Sequence, residues 1–211
     1  MIAPPLIRSS NQGRALLCGY LAFSVAYLGS ASLGIGPPRM LQPGHIETSI
    51  PLLEWTIWIY LTQFLLLPAA ILLARDDRER SRTFYAMLVA TVLAAFVFIV
   101  WPTELERPTP QPDGLTGLAW TLLYSTDTPC NCFPSLHVAL ATVAGMSLWR
   151  CGRRAIAWLW PLLIAVSTLT TKQHVALDAA GGLALAVLAW TLTGKFVSHE
   201  CSKPAHRSAN L

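Results

Sequence analysis

Apolar residues run along this chain in long blocks separated by short polar stretches, and the blocks have the length of helices that cross a hydrocarbon layer. A core of about 30 Å takes about 20 residues of helix. Six segments reach or approach that length, near 15–35, 53–74, 84–101, 134–149, 155–172 and 175–195, the fourth and fifth being short. The last carries Ala180-Gly181-Gly182, whose small side chains permit close helix approach. Between the blocks lie a Pro/Gly-containing loop at 36–52, a charged loop from Arg75 to Arg82, and a proline-rich loop at 102–133. The charged loop reads as a solvated topology anchor, the proline-rich one as an irregular cap on the membrane, and the stretch after about 197 as a polar tail. The pattern predicts an all-α fold: a polytopic membrane helix bundle with six transmembrane helices, forming one domain over 1–211.

Composition agrees, with 54% hydrophobic residues and 12% charged, against roughly 25% charged in average soluble domains. Six spans place both termini on one side. That side then holds Arg8, Arg14, Arg75, Arg78, Arg80, Arg82, Arg150, Arg153, Arg154, Lys195, Lys203 and Arg207, twelve of the fifteen Lys and Arg; the other side holds Arg39, Arg107 and Lys172. Such a bias marks the termini as cytoplasmic. The net charge of +4 forms no basic stripe, so no nucleic-acid partner is expected. Short Arg-rich inner loops point to a bacterial inner membrane, with a eukaryotic internal membrane as the alternative. Arg8, Arg14, the first apolar block and Ser30-Ala31-Ser32 also fit a cleavable signal peptide; either reading leaves the later spans oriented alike.

Two polar islands interrupt this pattern: Cys132-Phe133-Pro134-Ser135-Leu136-His137, and Lys172-Gln173-His174 followed by Asp178. Ionisable residues at membrane depth are costly, so a function is the default expectation. His137 opens the fourth span on the outer, periplasmic side; the chain crosses, turns at Arg150–Arg154 and returns, and His174 opens the sixth span. The hairpin thus carries both histidines back to one level. His174 and Asp178, four apart on one helix, share a face. A carboxylate on one imidazole nitrogen fixes the tautomer and leaves the other nitrogen to attack. His137, on another helix, is placed to protonate a leaving oxygen. Ser135 at a helix start, Lys172, Arg107 from the cap loop and Ser167 two turns before His174 are candidate contacts to phosphate oxygens. His45, His199 and His206 read as uninvolved.

At these residues the chain resembles the type 2 phosphatidic acid phosphatase superfamily, nearest to its inositol-phosphorylceramide-synthase-like and sphingomyelin-synthase-like branch. The family's Pro-Ser-Gly-His motif is here Pro134-Ser135-Leu136-His137. Its motif of Ser-Arg, five residues, His, three residues, Asp is matched by Ser167-Thr168, His174 and Asp178, with threonine for arginine. Of the motif Lys, six residues, Arg-Pro, Arg107-Pro108 remain and Val100 stands at the lysine position. Leu136 is similar to the synthase branch. The resemblance covers about 100–180 closely. It implies His174 as a nucleophile passing through phosphohistidine, Asp178 as its partner, His137 as general acid, and no metal or other cofactor.

The expected activity is a membrane phosphatase or phosphotransferase acting on a phospholipid-like substrate at the outer leaflet. Water as acceptor makes it a phosphatase, a lipid or polyol hydroxyl a transferase, and hydrolysis is the default. A reading of another class is a non-catalytic lipid-binding or transport protein on the same scaffold. Among the cysteines (Cys18, Cys130, Cys132, Cys151 and Cys201), a bridge between Cys130 and Cys132 would close a strained ring. A metal site from these two and His137 is the weaker alternative. Trp55, Trp58, Trp101 and Trp120 read as an interfacial aromatic belt.

Overall fold

A computed structural model describes residues 5–110, 112–127 and 129–198, with side chains except those of Ile46 and 195–198. His199, Cys201, Lys203, His206, Arg207 and the polar tail lie outside the described residues. The chain is mostly helical. Its elements in order are α1 (Gln12–Ser32), β1 (Arg39–Leu41), α2 (His45–Ser49), a 3-10 turn (Glu54–Thr56), α3 (Ile57–Leu61), α4 (Gln63–Leu72), α5 (Asp77–Val100), β2 (Thr103–Leu105), α6 (Gly114–Thr126), α7 (Leu136–Arg150), α8 (Arg154–Thr170) and α9 (Ala176–Ser198).

Among the described residues four segments are long and apolar enough to cross a membrane: Gln12–Ser32, Glu54–Leu72, Asp77–Val100 and Ala176–Gly194. The shorter α8 is also apolar. Their surfaces match a hydrocarbon surround. Leu17, Leu21 and Val25 on α1 and Trp158, Leu159 and Leu162 on α8 are exposed, an apolar display that water-facing surfaces rarely carry.

The helices pack through small residues. Ala86, Ala90 and Ala94 form one buried stripe on α5, and Ala139, Ala144, Ala186 and Ala189 face the same core. Two glycines set the closest approaches. A Cβ at Gly145 would lie 2.5 Å from the Ala157 carbonyl oxygen, and one at Gly182 would lie 2.4 Å from that of Ser135. The Ala180-Gly181-Gly182 stretch therefore lets α9 reach the start of α7. There the Ser135 N–H donates to the Asp178 carbonyl at 3.0 Å.

Several expectations are revised. The charged loop before the third span is largely helix, because Asp76 caps α5 by accepting from Glu79 N at 2.8 Å. Glu79 is buried and accepts from Arg150 Nε at 2.9 Å, which ties the start of α5 to the end of α7. The second span is divided at Thr62, whose N–H is shared between the Trp58 and Ile59 carbonyls while its hydroxyl takes Ile59 O at 2.6 Å. The cap at 102–133 is not irregular throughout. It contains α6 and β2, and β2 pairs in parallel with β1. Trp120 of α6 is buried against Ile57, Tyr60 and Leu123 and donates to Glu54 O at 3.0 Å, so it belongs to the cap's own core rather than to an aromatic belt. Trp55, Trp58 and Trp101 are exposed.

α1 is pinned at both ends. Ile7 N donates to Ser81 Oγ at 2.7 Å near its start, and Asn131 Nδ2 donates to Tyr27 O at 2.9 Å near its end. Its one buried residue is Ser30.

The Gly182 contact is testable. Gly182→Ala puts a methyl group against a backbone carbonyl, and such overpacking costs on the order of 1–3 kcal/mol. The expected result is a lower melting temperature in detergent and loss of function; an unshifted melting temperature would show that α9 approaches α7 less closely.

Candidate active site

The hairpin of α7 and α8 returns the chain to the end of the bundle from which it set out, and the two polar islands meet there. The His137 and His174 rings lie 6.0 Å apart, centroid to centroid, inclined at 55°. His137 is the second residue of α7, after Ser135, whose hydroxyl caps the helix by accepting from Val138 N at 3.3 Å.

His174 is not on the sixth span, because α9 begins at Ala176. It sits in the preceding turn, where Gln173 N and His174 N donate to Thr168 O at 2.9 and 3.2 Å. Asp178 reaches back across this boundary. Its Oδ2 accepts from Val175 N at 3.1 Å and lies 3.3 Å from His174 Nδ1. The first contact is the reciprocal half of a capping box. One carboxylate oxygen thus satisfies the helix start and orients the imidazole. Asp178 is fully buried, and its Oδ1 has no hydrogen-bond partner among the described residues.

The other candidate residues are distributed differently. Ser167 is buried and its hydroxyl donates to Ile164 O at 2.7 Å, along its own helix. Lys172 adopts a left-handed backbone conformation (φ 57°), and its ammonium donates to Glu47 O at 2.6 Å and to Ile50 O. Its charge is directed into the 45–50 segment. Arg107 is nearly buried and donates to Asp127 O at 3.2 Å, with its Nη2 3.3 Å from Asp127 Oδ2. Burial opposes the guanidinium's charge, but the Asp127 carboxylate and the neighbouring tyrosines hold its pKa above the ordinary value.

Cys130, Cys132 and His137 do not gather as ligands. Among the described residues no group of three or more His, Cys, Asp or Glu is arranged to hold a metal ion. Cys132 is fully buried, its thiol donating to Pro129 O at 3.1 Å. Burial, then the charge of Asp178, pushes that thiol up to about 12.

Three contributors were not singled out by sequence reasoning. Tyr60 is fully buried, its ring 4.4 Å from that of His137 and its hydroxyl 3.3 Å from His137 Nδ1. Asp127 pairs with Arg107 and accepts from the Tyr27 hydroxyl. Glu47 caps α9, accepting from Ala176 N at 2.8 Å. Tyr60 lies inside an apolar block, Asp127 follows α6, and Glu47 lies in the short helix α2 within a segment that reads as a loop. None has a partner within a helical turn in sequence that would have marked it.

A cavity of about 670 Å³ adjoins His137. Tyr27, Tyr60, Asp127 and His137 line its polar end, and its body runs between α1, α4 and α5 as far as Leu16, Ile71 and Phe84.

Fold and site together define a helical, membrane-type bundle with a His–His–Asp cluster at one end, in which His174 and Asp178 are buried and His137 is half-buried. The chain belongs to the PAP2 superfamily, whose sequence model matches residues 30–192. Membership points to phosphatase or phosphotransferase chemistry on lipid-like phosphoesters. No curated protein sequence matches the chain.

Two outcomes follow for the site's supports. The Ala176 N–H, foremost, holds the Glu47 carboxyl below its ordinary value. A carboxyl lowered by folding adds stability that is present above its unfolded pKa and is lost as pH falls through the lowered value. Acidification through that window should lower the protection of the Ala176 amide relative to its intrinsic exchange rate at each pH, and Glu47→Gln should abolish the dependence; unchanged protection in the wild type would discount the cap. Cys132, with so little thiolate, should resist alkylation at pH 8 until the protein is unfolded, as mass spectrometry would read.

Proposed function

We propose that the protein is a membrane lipid phosphatase that cleaves the phosphoester of a phospholipid-like substrate at the outer leaflet through a phosphohistidine intermediate. The observation that carries the reading is the pair of imidazoles 6.0 Å apart, one of them backed by a buried carboxylate. The spacing suits two groups flanking one phosphorus. His174 Nε2 attacks and forms the N–P bond as the P–O bond to the lipid alcohol breaks. The departing oxygen takes the bond's electron pair and a proton from His137 Nε2. Water then gives a proton to His137 and bonds to phosphorus, and the N–P electron pair returns to His174. Asp178 holds His174 with Nε2 turned outward.

The adjoining cavity supports a lipid alcohol as the leaving group. Its apolar body would take the tail, and His137 at its polar end would meet the ester oxygen. Ser135, Lys172, Arg107 and Ser167 are the proposed phosphate contacts. Arg107 would act from its pair with Asp127, and Lys172 by exchanging its carbonyl partners for phosphate.

The proposed setting is a six-span topology with both termini cytoplasmic in a bacterial inner membrane and the site on the periplasmic face, supported by the distribution of Lys and Arg. Leu136 and Thr168 favour a second reading, in which a lipid or polyol hydroxyl replaces water as in the phosphosphingolipid synthases.

Labelled phospholipids offered to the purified protein with and without acceptor alcohols test both. Free phosphate supports hydrolysis, and a new headgroup-bearing lipid supports transfer. His174→Ala and Asp178→Ala should each abolish turnover with the helical content retained. Full turnover in either would reject the mechanism, and a wild type that binds lipid without turnover, with binding kept in His174→Ala, would favour a non-catalytic lipid-binding protein. Vanadate should inhibit as a mimic of the five-coordinate phosphorus. Chelators should leave the rate unchanged, and a loss restored by zinc would reject the metal-free scheme.

A further inference from the structure

The two imidazoles are held by different chemistry. His174 Nδ1 faces the carboxylate of Asp178 at 3.3 Å, and His137 Nδ1 faces the phenol of Tyr60 at 3.3 Å. Among the described residues neither Nε2 makes a hydrogen bond. A carboxylate only accepts, so it holds a ring whose Nδ1 keeps its proton. A phenol both donates and accepts. It accepts from Nδ1–H while the imidazole is charged and still does so once Nε2 has given up its proton, because the neutral ring keeps its proton on Nδ1. Being neutral, the phenol fixes the ring without holding its positive charge as a carboxylate would, which suits a group that must give up its Nε2 proton and later take one back.

The rest of the Tyr60 environment fits a fixed support. The side chain has no exposed surface, and its ring lies over the His137 ring at 4.4 Å with a 30° inclination. Ile57, Ala119, Trp120 and Leu123 pack around it. The α6 cap therefore clamps Tyr60, and Tyr60 in turn clamps His137. The hydroxyl is the one polar atom of the Tyr60 side chain, and its partner is the imidazole.

We infer that Tyr60 is the positioning residue of the proton-donating histidine, holding His137 with Nε2 toward the departing oxygen in both of its protonation states. The inference rests on the reading above and assigns a residue that this reading does not need. It also explains the division of roles: the carboxylate-backed ring attacks, and the phenol-backed ring carries the proton.

The test uses leaving groups. A nitrophenolate departs without a proton, whereas an alkoxide needs one, and general-acid help of this kind is worth roughly 10²–10⁴-fold. Tyr60→Phe keeps the ring and removes the hydroxyl. The purified variant should lose at least about tenfold more kcat on octyl phosphate than on 4-nitrophenyl phosphate. His137→Ala should show the same selectivity more strongly. A purely structural role would lower both esters alike, and an equal loss or no loss overturns the inference. A second readout needs no turnover. In protein labelled with ¹⁵N-histidine, Tyr60→Phe should move the His137 Nδ1 resonance and leave that of His174 in place; an unmoved His137 resonance also overturns it. If the wild type hydrolyses neither ester, the phosphatase reading fails, while the resonance shift still decides whether Tyr60 holds His137.

Discussion

The site depends on one backbone contact, the hydrogen bond from Ser135 N–H to the Asp178 carbonyl. The first amides of a helix lack partners within it, and in an apolar surround each must find one. Here the start of α7 finds its partner in the first turn of α9. The bond is reachable only because Gly182 presents no side chain to the Ser135 carbonyl. It holds the residue before the His137 helix and the acid beside His174 at hydrogen-bonding distance. The 6.0 Å separation of the rings follows from it.

Around this contact the protein separates two environments. On one side lies a polar cap. β1 and β2 are paired, Phe133 N donates to Thr103 Oγ1 at 2.9 Å, and Leu41, Leu105, Cys132 and Val175 form a small core of their own. On the other side lies the apolar cavity. The histidines stand at the border. Asp127, Arg107 and Tyr27 stand there too, and their charges are matched internally before any ligand arrives. A charge paired in this way costs less to bury than a lone one, which accounts for a cation and an anion both nearly excluded from solvent beside a hydrocarbon-lined space.

Much of the architecture was legible in the sequence because hydrophobic block length and small-residue placement are local signals. The meeting of His137 with His174 was legible too, since it requires only that a hairpin returns to its starting level. Other features were set by partners far away in sequence. Glu79 and Arg80 look like solvated charges until Asp76 caps α5 and Arg150 arrives 71 residues later. Trp120 looks like a belt residue until α6 folds onto the start of the second span. Lys172 follows the direction its left-handed turn gives it, which spacing along a helix cannot anticipate. Tyr60 was hidden by its surroundings, as an aromatic residue in an apolar block reads as lipid-facing or core.

The loose burial of α1 has a consequence for the cavity it walls. Its fastenings are near its two ends, at Ile7 with Ser81 and at Tyr27 and Ser30 with Asn131. Between them Leu17, Leu21 and Val25 are exposed and do not line the cavity. Bowing this stretch outward exchanges contacts with neighbouring helices for contacts with acyl chains and breaks no terminal hydrogen bond. The wall that α1 gives the cavity is thus held between its fastened ends by side-chain packing, with Leu16 and Phe23 lying against the core and Gly19 against Phe84.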